Sequence, residues 1–109
     1  MVIVWSDLAR FQLISIIEYI ENLYGKTTAQ HVYIKIVEHV NLLEIFPRMG
    51  VRDFRIAIDE FEIRYLINTP NIIHYLIQEN KIHIISILDS RQAPEVACRV
   101  ISNFLQQHK

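Results

Sequence analysis

The sequence predicts an α+β fold: a helical hairpin packed on a mainly antiparallel sheet, in the order β-α-α-β-β-β(-β)-α. Three observations predict it. Apolar residues recur with a helical period as far as Phe46, with a period of two from Phe54 to Asp89, and with a helical period again after Pro94. The two helical stretches meet at Gly25 and the strand-like runs are joined by tight turns, so neighbours must run antiparallel. Hydrophobic residues make up 51% of the 109, with only 2 Gly and 3 Pro, enough to close one core. A single domain over residues 1–109 is expected, with no internal repeat or linker.

Each element has a local reason. Val2 to Trp5 is a short run of β-branched and aromatic residues, read as a buried strand. Ser6 suits a helix N-cap and Asp7 the positive end of the helix dipole. From Leu8 to Tyr24 the helical wheel gathers Leu8, Leu13, Ile16, Ile17, Tyr19, Ile20, Leu23 and Tyr24 on one half. Gly25 then stands where a left-handed C-terminal residue belongs. Thr27 and Gln30 have capping-box spacing for a second helix, which carries Val32, Tyr33, Ile36, Val40 and Leu43 on one face and ends by Pro47.

Strand signals follow. Phe54, Ile56 and Ile58 alternate with Arg55, Ala57 and Asp59, and Phe61, Ile63, Tyr65 and Ile67 alternate with Glu62, Arg64, Leu66 and Asn68. Asn68-Thr-Pro-Asn71 reads as a turn, Ile72 to Gln78 as a strand, Glu79-Asn80 as a two-residue connection and Lys81 to Asp89 as the last strand. Pro94 opens a final helix with Val96, Ala97, Val100, Ile101, Phe104 and Leu105 as its stripe.

Charge and special residues exclude several function classes. Eleven Lys and Arg against twelve Asp and Glu give a net charge of −1, so no broad electrostatic grip on nucleic acid is evident. Cys98 is the only cysteine, which forbids an intramolecular disulfide and suits a reducing compartment. The start lacks a basic signal-peptide region and no apolar run approaches the roughly 20 residues of a membrane span, so a soluble cytoplasmic protein is expected. No Gly-rich loop could cradle phosphate and no serine sits in a nucleophile elbow. His74 and His83 fall on one strand face but lack a third ligand, so neither metal nor cofactor is expected.

Two sets of residues stand out. Phe11 and Ile14 lie amid the polar half of the first helix, and Ile34 and Ile45 amid that of the second, which suits a groove for an amphipathic partner. Arg48, Arg52, Arg55 and Arg64 cluster, interleaved with Asp53, Asp59, Glu60 and Glu62, and Arg91 ends the last strand. A two-residue turn at Glu79-Asn80 puts Leu76 opposite His83. Strand parity then gives Arg91 the same face as His74, His83, Ile85 and Ile87, and gives Ile73, Tyr75 and Ile84 the face under the helices. A polar rim of that kind could bind a phosphate or a carboxylate.

The segments FPRMG (46–50), EIRYLINTPNIIHYLI (62–77) and IHIISILDSRQAP (82–94), with the opening VIVWSDLA (2–9), resemble the RelE/ParE superfamily of type II toxin-antitoxin toxins. Arg64, Tyr75 and Arg91 stand at that family's strand arginine, strand tyrosine and terminal-turn arginine. The resemblance implies a toxin held inactive by a cognate antitoxin, with Phe11, Ile14, Ile34 and Ile45 as the antitoxin-binding residues. It also implies that the chain does not bind DNA directly without that antitoxin. ParE-like members bind DNA gyrase and cut nothing; RelE-like members cut messenger RNA on the ribosome.

Asn71 and Ile72 replace the tyrosine-arginine common before the strand tyrosine, no lysine lies within the strands, and the chain is nearly neutral. These departures favour the ParE-like reading, with Arg48, Arg52, Arg64, Arg91 and Gln92 as target-binding residues. The alternative, a ribosome-dependent endoribonuclease, would draw on Arg64, His74, Tyr75, His83 and Arg91, with Tyr65 as a further proton-transfer candidate. A non-toxic protein-binding module of the same fold is a third class.

Overall fold

A computed structural model describes residues 1–55 and 61–107. The element order is β1 (Val2–Trp5), α1 (Asp7–Tyr24), α2 (Lys26–Asn41), a 3-10 turn (Leu42–Glu44), β2 (Val51–Arg52), β3 (Glu62–Asn68), β4 (Asn71–Gln78), β5 (Lys81–Asp89) and α3 (Pro94–Gln107). The strands form one sheet in the order β1-β5-β4-β3-β2. Every pair is antiparallel except β1 with β5, which is parallel because the whole α1–α2 hairpin and three strands intervene. The expected α+β fold is present.

Local chemistry explains the ends of the elements. Ser6 caps α1: its Oγ accepts from the Ala9 N–H at 3.0 Å. Gly25 closes α1 by donating to the Glu21 carbonyl at 2.9 Å, and its own carbonyl accepts from the Ala29 N–H at 3.1 Å to start α2. Its φ of 91° and ψ of 172° lie in a region open essentially to glycine alone, and not in the left-handed helical region expected from the sequence. The Thr27–Gln30 capping box is not used, because α2 already begins at Lys26 with no side-chain cap. The helical run toward Phe46 changes pitch after Asn41 and finishes as the 3-10 turn. Glu79 and Asn80, with φ of 52° and 63°, form the tight β4–β5 turn whose mirror-image conformation matches strand twist.

The strand expected to start at Phe54 does not start there. Among the described residues before β3, Val51 and Arg52 pair with it, and Phe54 and Arg55 lie in a turn; Ile56 to Asp59, the rest of that prediction, fall outside the described residues.

The sheet has two apolar faces. On one, Leu66, Ile73, Tyr75, Ile82, Ile84 and Ile87 pack with Ala9, Ile36, Val40 and Leu43 of the hairpin segment. On the other, Phe61, Ile63, Leu76 and Ile85 pack with Ile101 and Leu105 of α3. α1 meets the sheet along a stripe narrower than the helical wheel suggests. Ala9 is buried and Leu13 and Ile16 are half-buried, while Leu8, Tyr19, Leu23 and Tyr24 remain exposed.

A register shift corrects the predicted parity of β5. The expected pairing of Leu76 with His83 is present, but a bulge between His74 and Tyr75 pairs Tyr75 with Ile84 and His74 with Ser86. The extra residue sends Ile85 to the α3 core and Ile87 to the hairpin core, although two apart they would share a face in a regular strand. Helix α1 satisfies the backbone around the bulge: Ser6 Oγ donates to the Ile85 carbonyl at 2.8 Å, and Gln12 Oε1 accepts from the Ile87 N–H at 2.7 Å. Those bonds continue the strand edge where β1 has ended.

Candidate functional site

The loop between α2 and β2 contains Phe46-Pro-Arg-Met-Gly50 and is held from inside. Tyr75 is fully buried, and its hydroxyl donates to the Pro47 carbonyl at 2.9 Å while accepting from the Gly50 N–H at 3.0 Å. Gly50 is required there by close approach, since a Cβ at that position would lie 2.5 Å from the phenol oxygen and 2.8 Å from the Tyr65 carbonyl. Arg64 donates to the Gly50 carbonyl at 2.8 Å and to Glu62 at 2.7 Å. Arg48 binds the same carboxylate through both Nε and Nη2 at 3.0 Å. Burial opposes ionisation of Glu62, but the hydrogen bonds from Arg64 and Arg48 prevail and hold its carboxyl below the usual range. Two guanidinium groups thus share one carboxylate at the β2–β3 edge.

Tyr75 cannot serve as an exposed proton donor in this setting, and burial pushes its phenol pKa upward. His74 points to the opposite side of the sheet and is just as enclosed, at 1% exposure. Its Nε2 lies 3.0 Å from Asp53 Oδ2, while Arg55 donates to Asp53 through its backbone N–H, Nε and Nη2. The Arg55 hydrogen bond, opposed by burial and aided by His74, lowers Asp53 to about 2. Burial depresses the imidazole more than Asp53 raises it, so the His74 ring is the neutral form donating Nε2–H to an ionised carboxylate. A small cavity of about 130 Å³ lies beside it, lined also by Arg55, Gln92 and Ala97.

The structure separates the predicted polar rim. His74 and His83 both lie on the α3 side, where His83 and Phe104 have ring centroids 6.1 Å apart. Arg91 does not join them. The bulge reverses the parity of the end of β5, and the chain leaves the strand at Asp89. Ser90 there donates to the Pro70 carbonyl at 2.8 Å. Arg91 projects beside Tyr19 and Lys35 on the hairpin side, with its guanidinium on Asp89 at 2.7 and 2.9 Å. Gln92 turns back, its Oε1 accepting from the Asp89 N–H at 3.3 Å. Of the five target-binding candidates, Arg48, Arg52 and Arg64 gather at the β2–β3 edge, whereas Arg91 and Gln92 stand at the far end of β5.

Among the described residues, no three His, Cys, Asp or Glu side chains are placed to share a metal ion. His39 Nδ1 lies 2.9 Å from Asn68 Nδ2.

The four apolar residues out of pattern on the helical segment are all exposed: Phe11, Ile14, Ile34 and Ile45, the last at 70%. Ile34 lines an open groove of about 460 Å³ along the hairpin, with Ile17, Tyr33 and Lys26. Sequence periodicity missed a second apolar surface. Phe46, Met49, Val51 and Phe54, the last at 79% exposure, stand around the loop braced by Tyr75. The available signal was the density of large apolar residues between Pro47 and Phe54 beside a glycine with no strand partner of its own.

The fold has a counterpart among solved structures. A chain of a solved structure described as the chromosomal ParDE TA system from P. aeruginosa superposes with a TM-score of 0.66 at 21% identity. The match covers 82% of this chain and 95% of that one, a likeness of fold. None of the curated proteins compared matches this chain. The model of the family described as the ParE toxin of the type II toxin-antitoxin system parDE matches residues 3–94, from the first strand through the bulged β5 to the start of α3, and the chain therefore belongs to the ParE toxin family.

Proposed function

We propose that residues 1–109 act as one toxin domain that is neutralised by a cognate antitoxin on the helical hairpin and that inhibits DNA gyrase without cutting nucleic acid. The observation that carries this reading is that Tyr75, His74 and Arg91 are each engaged by internal partners at three separate places on the sheet. Tyr75 is locked on the 46–50 loop, His74 is locked on Asp53 across the sheet, and Arg91 is ion-paired at the other end of β5. General acid–base cleavage needs such groups within reach of one reacting atom. Binding to a protein target needs only a surface.

Antitoxin binding is supported by the exposed Phe11, Ile14, Ile34 and Ile45 of the helical segment, which an amphipathic segment would bury. Inducing the chain alone in bacteria is expected to arrest growth, and co-expressing the product of a short adjacent reading frame to relieve it. In purified form the chain is expected to inhibit gyrase supercoiling and to leave messenger RNA on translating ribosomes intact. Cleaved messages with normal supercoiling would overturn the gyrase reading in favour of a ribosome-dependent nuclease.

A further inference from the structure

We propose that His39 and Asn68 form a proton-sensitive latch that docks α2 on the β3–β4 turn, closed while the His39 ring is neutral and released when it is protonated. The device belongs to the fold and stands whether or not the chain acts on gyrase.

One buried amide makes the latch. Asn68 ends β3 and is 5% exposed. Its Nδ2 lies 3.3 Å from the Lys35 carbonyl oxygen and 2.9 Å from His39 Nδ1, both on α2. The first contact fixes which way the amide faces, because turning it over would set its oxygen against that of the Lys35 carbonyl. The amide nitrogen then has two hydrogens and two acceptors. One N–H goes to Lys35 and the other to His39, so Nδ1 must offer its lone pair. The proton of the neutral ring is therefore on Nε2. Lys35 Nζ adds a bond to the same turn, donating to the Thr69 carbonyl at 3.0 Å.

A proton on Nδ1 removes the acceptor. It sets one N–H against another, and the amide cannot turn over without losing Lys35. Among the described residues around the ring, Ile67 to Thr69 bring no charge, while α2 brings Lys35 and Glu38. Glu38 favours a cation there, but burial, followed by the Lys35 charge, prevails and holds the His39 pKa below its ordinary value of 6.5. As pH falls below 6.5 the unfolded chain takes up this proton first. The latch's contribution to stability is complete above that value and is lost between it and the folded pKa. An open space of about 340 Å³, lined by Tyr19, Lys35, Asn68 and Pro70 among others, leaves the turn room to move once these bonds are lost.

The test is nuclear magnetic resonance on the full, nitrogen-15-labelled chain, followed from about pH 8 down to the onset of acid unfolding. The wild type is compared with His39→Gln and Asn68→Asp. Neutral His39 in the wild type is expected to carry its proton on Nε2. The Asn68 side-chain amide resonances should shift with the same midpoint as the His39 ring, below 6.5. His39→Gln offers the amide an acceptor that does not titrate, so the Asn68 resonances should lose that step and stay at their closed position. Asn68→Asp offers a carboxylate to the ring cation and should shift the His39 midpoint upward. A neutral ring protonated on Nδ1 overturns the inference. So does an Asn68 step that survives in His39→Gln, or a His39 midpoint that Asn68→Asp leaves unmoved or lowers. The tautomer is read from the wild type at neutral pH, so the test does not depend on either variant folding.

Discussion

The two faces of the sheet handle buried polar groups in opposite ways. On the hairpin face the Tyr75 hydroxyl is buried with both a donor and an acceptor in place, and it fixes the loop that carries Phe46, Arg48 and Met49. On the α3 face His74 Nδ1 and the Ser86 hydroxyl are buried with no hydrogen-bond partner among the described residues, although the two residues are paired across β4 and β5. A satisfied buried hydroxyl stabilises modestly, while an orphaned one costs its desolvation. The hairpin face is therefore a rigid support for a surface. The α3 face carries polar strain next to a small cavity.

The comparison breaks most sharply at Gly50. Gly50→Ala would push a methyl group against the Tyr75 oxygen and the Tyr65 carbonyl, and we expect a loss of roughly 3 kcal/mol, read as a fall in melting temperature. Unchanged melting would mean that the loop is not held as described. Removing a hydroxyl from each face then gives a paired test. Tyr75→Phe leaves the Gly50 N–H and Pro47 carbonyl without their partner and should cost about 1–3 kcal/mol in denaturant unfolding. Ser86→Ala removes a group that has no partner among the described residues, and is expected to be neutral or stabilising by up to about 1 kcal/mol. Equal losses in the two variants would refute the distinction between the faces.

Acid should weaken the α3 face in two steps. His74 has its pKa lowered by burial, so the unfolded chain takes up a proton first as pH falls below the ordinary value of 6.5. Stability is then lost from that point down to the folded pKa. Asp53 behaves as a depressed acid: its contribution is complete above the unfolded value of 3.8 and disappears as pH falls through about 2. Unfolding measured across pH 7 to 4 should therefore show a slope that His74→Gln reduces. A slope unaltered by that substitution would place the titrating group elsewhere, for example at His39, whose pKa is also lowered by burial. The smallest effect is expected at Arg91. Its ion pair with Asp89 is exposed, so Arg91→Ala should leave melting within experimental error, and a clear destabilisation would show that the pair supports the β5–α3 turn.

Much of this molecule is legible in the chain. The periods of 3.6 and 2, the Ser6 cap, the Gly25 junction and the two-residue turn at Glu79-Asn80 are local properties, set by backbone sterics and nearest-neighbour chemistry. They were sufficient for the α+β order, for the burial of Tyr75 toward the helices, and for the odd placement of Phe11, Ile14, Ile34 and Ile45. The sequence order of Arg64, Tyr75 and Arg91 also indicated the superfamily, and the family match bears that out.

Tertiary structure alone decided which of these residues meet. One extra residue at the β4–β5 bulge reverses every side chain beyond it, so Arg91 leaves the face of His74 and His83, and no local pattern announces that residue. The brace from Tyr75 to Pro47 and Gly50 spans more than twenty residues, and the Asp53–His74 contact crosses from a loop to a central strand. Such pairings are fixed by how two layers settle on a twisted sheet and by which buried polar group finds a partner there. Period and propensity set what each segment becomes; packing set which segments became a surface.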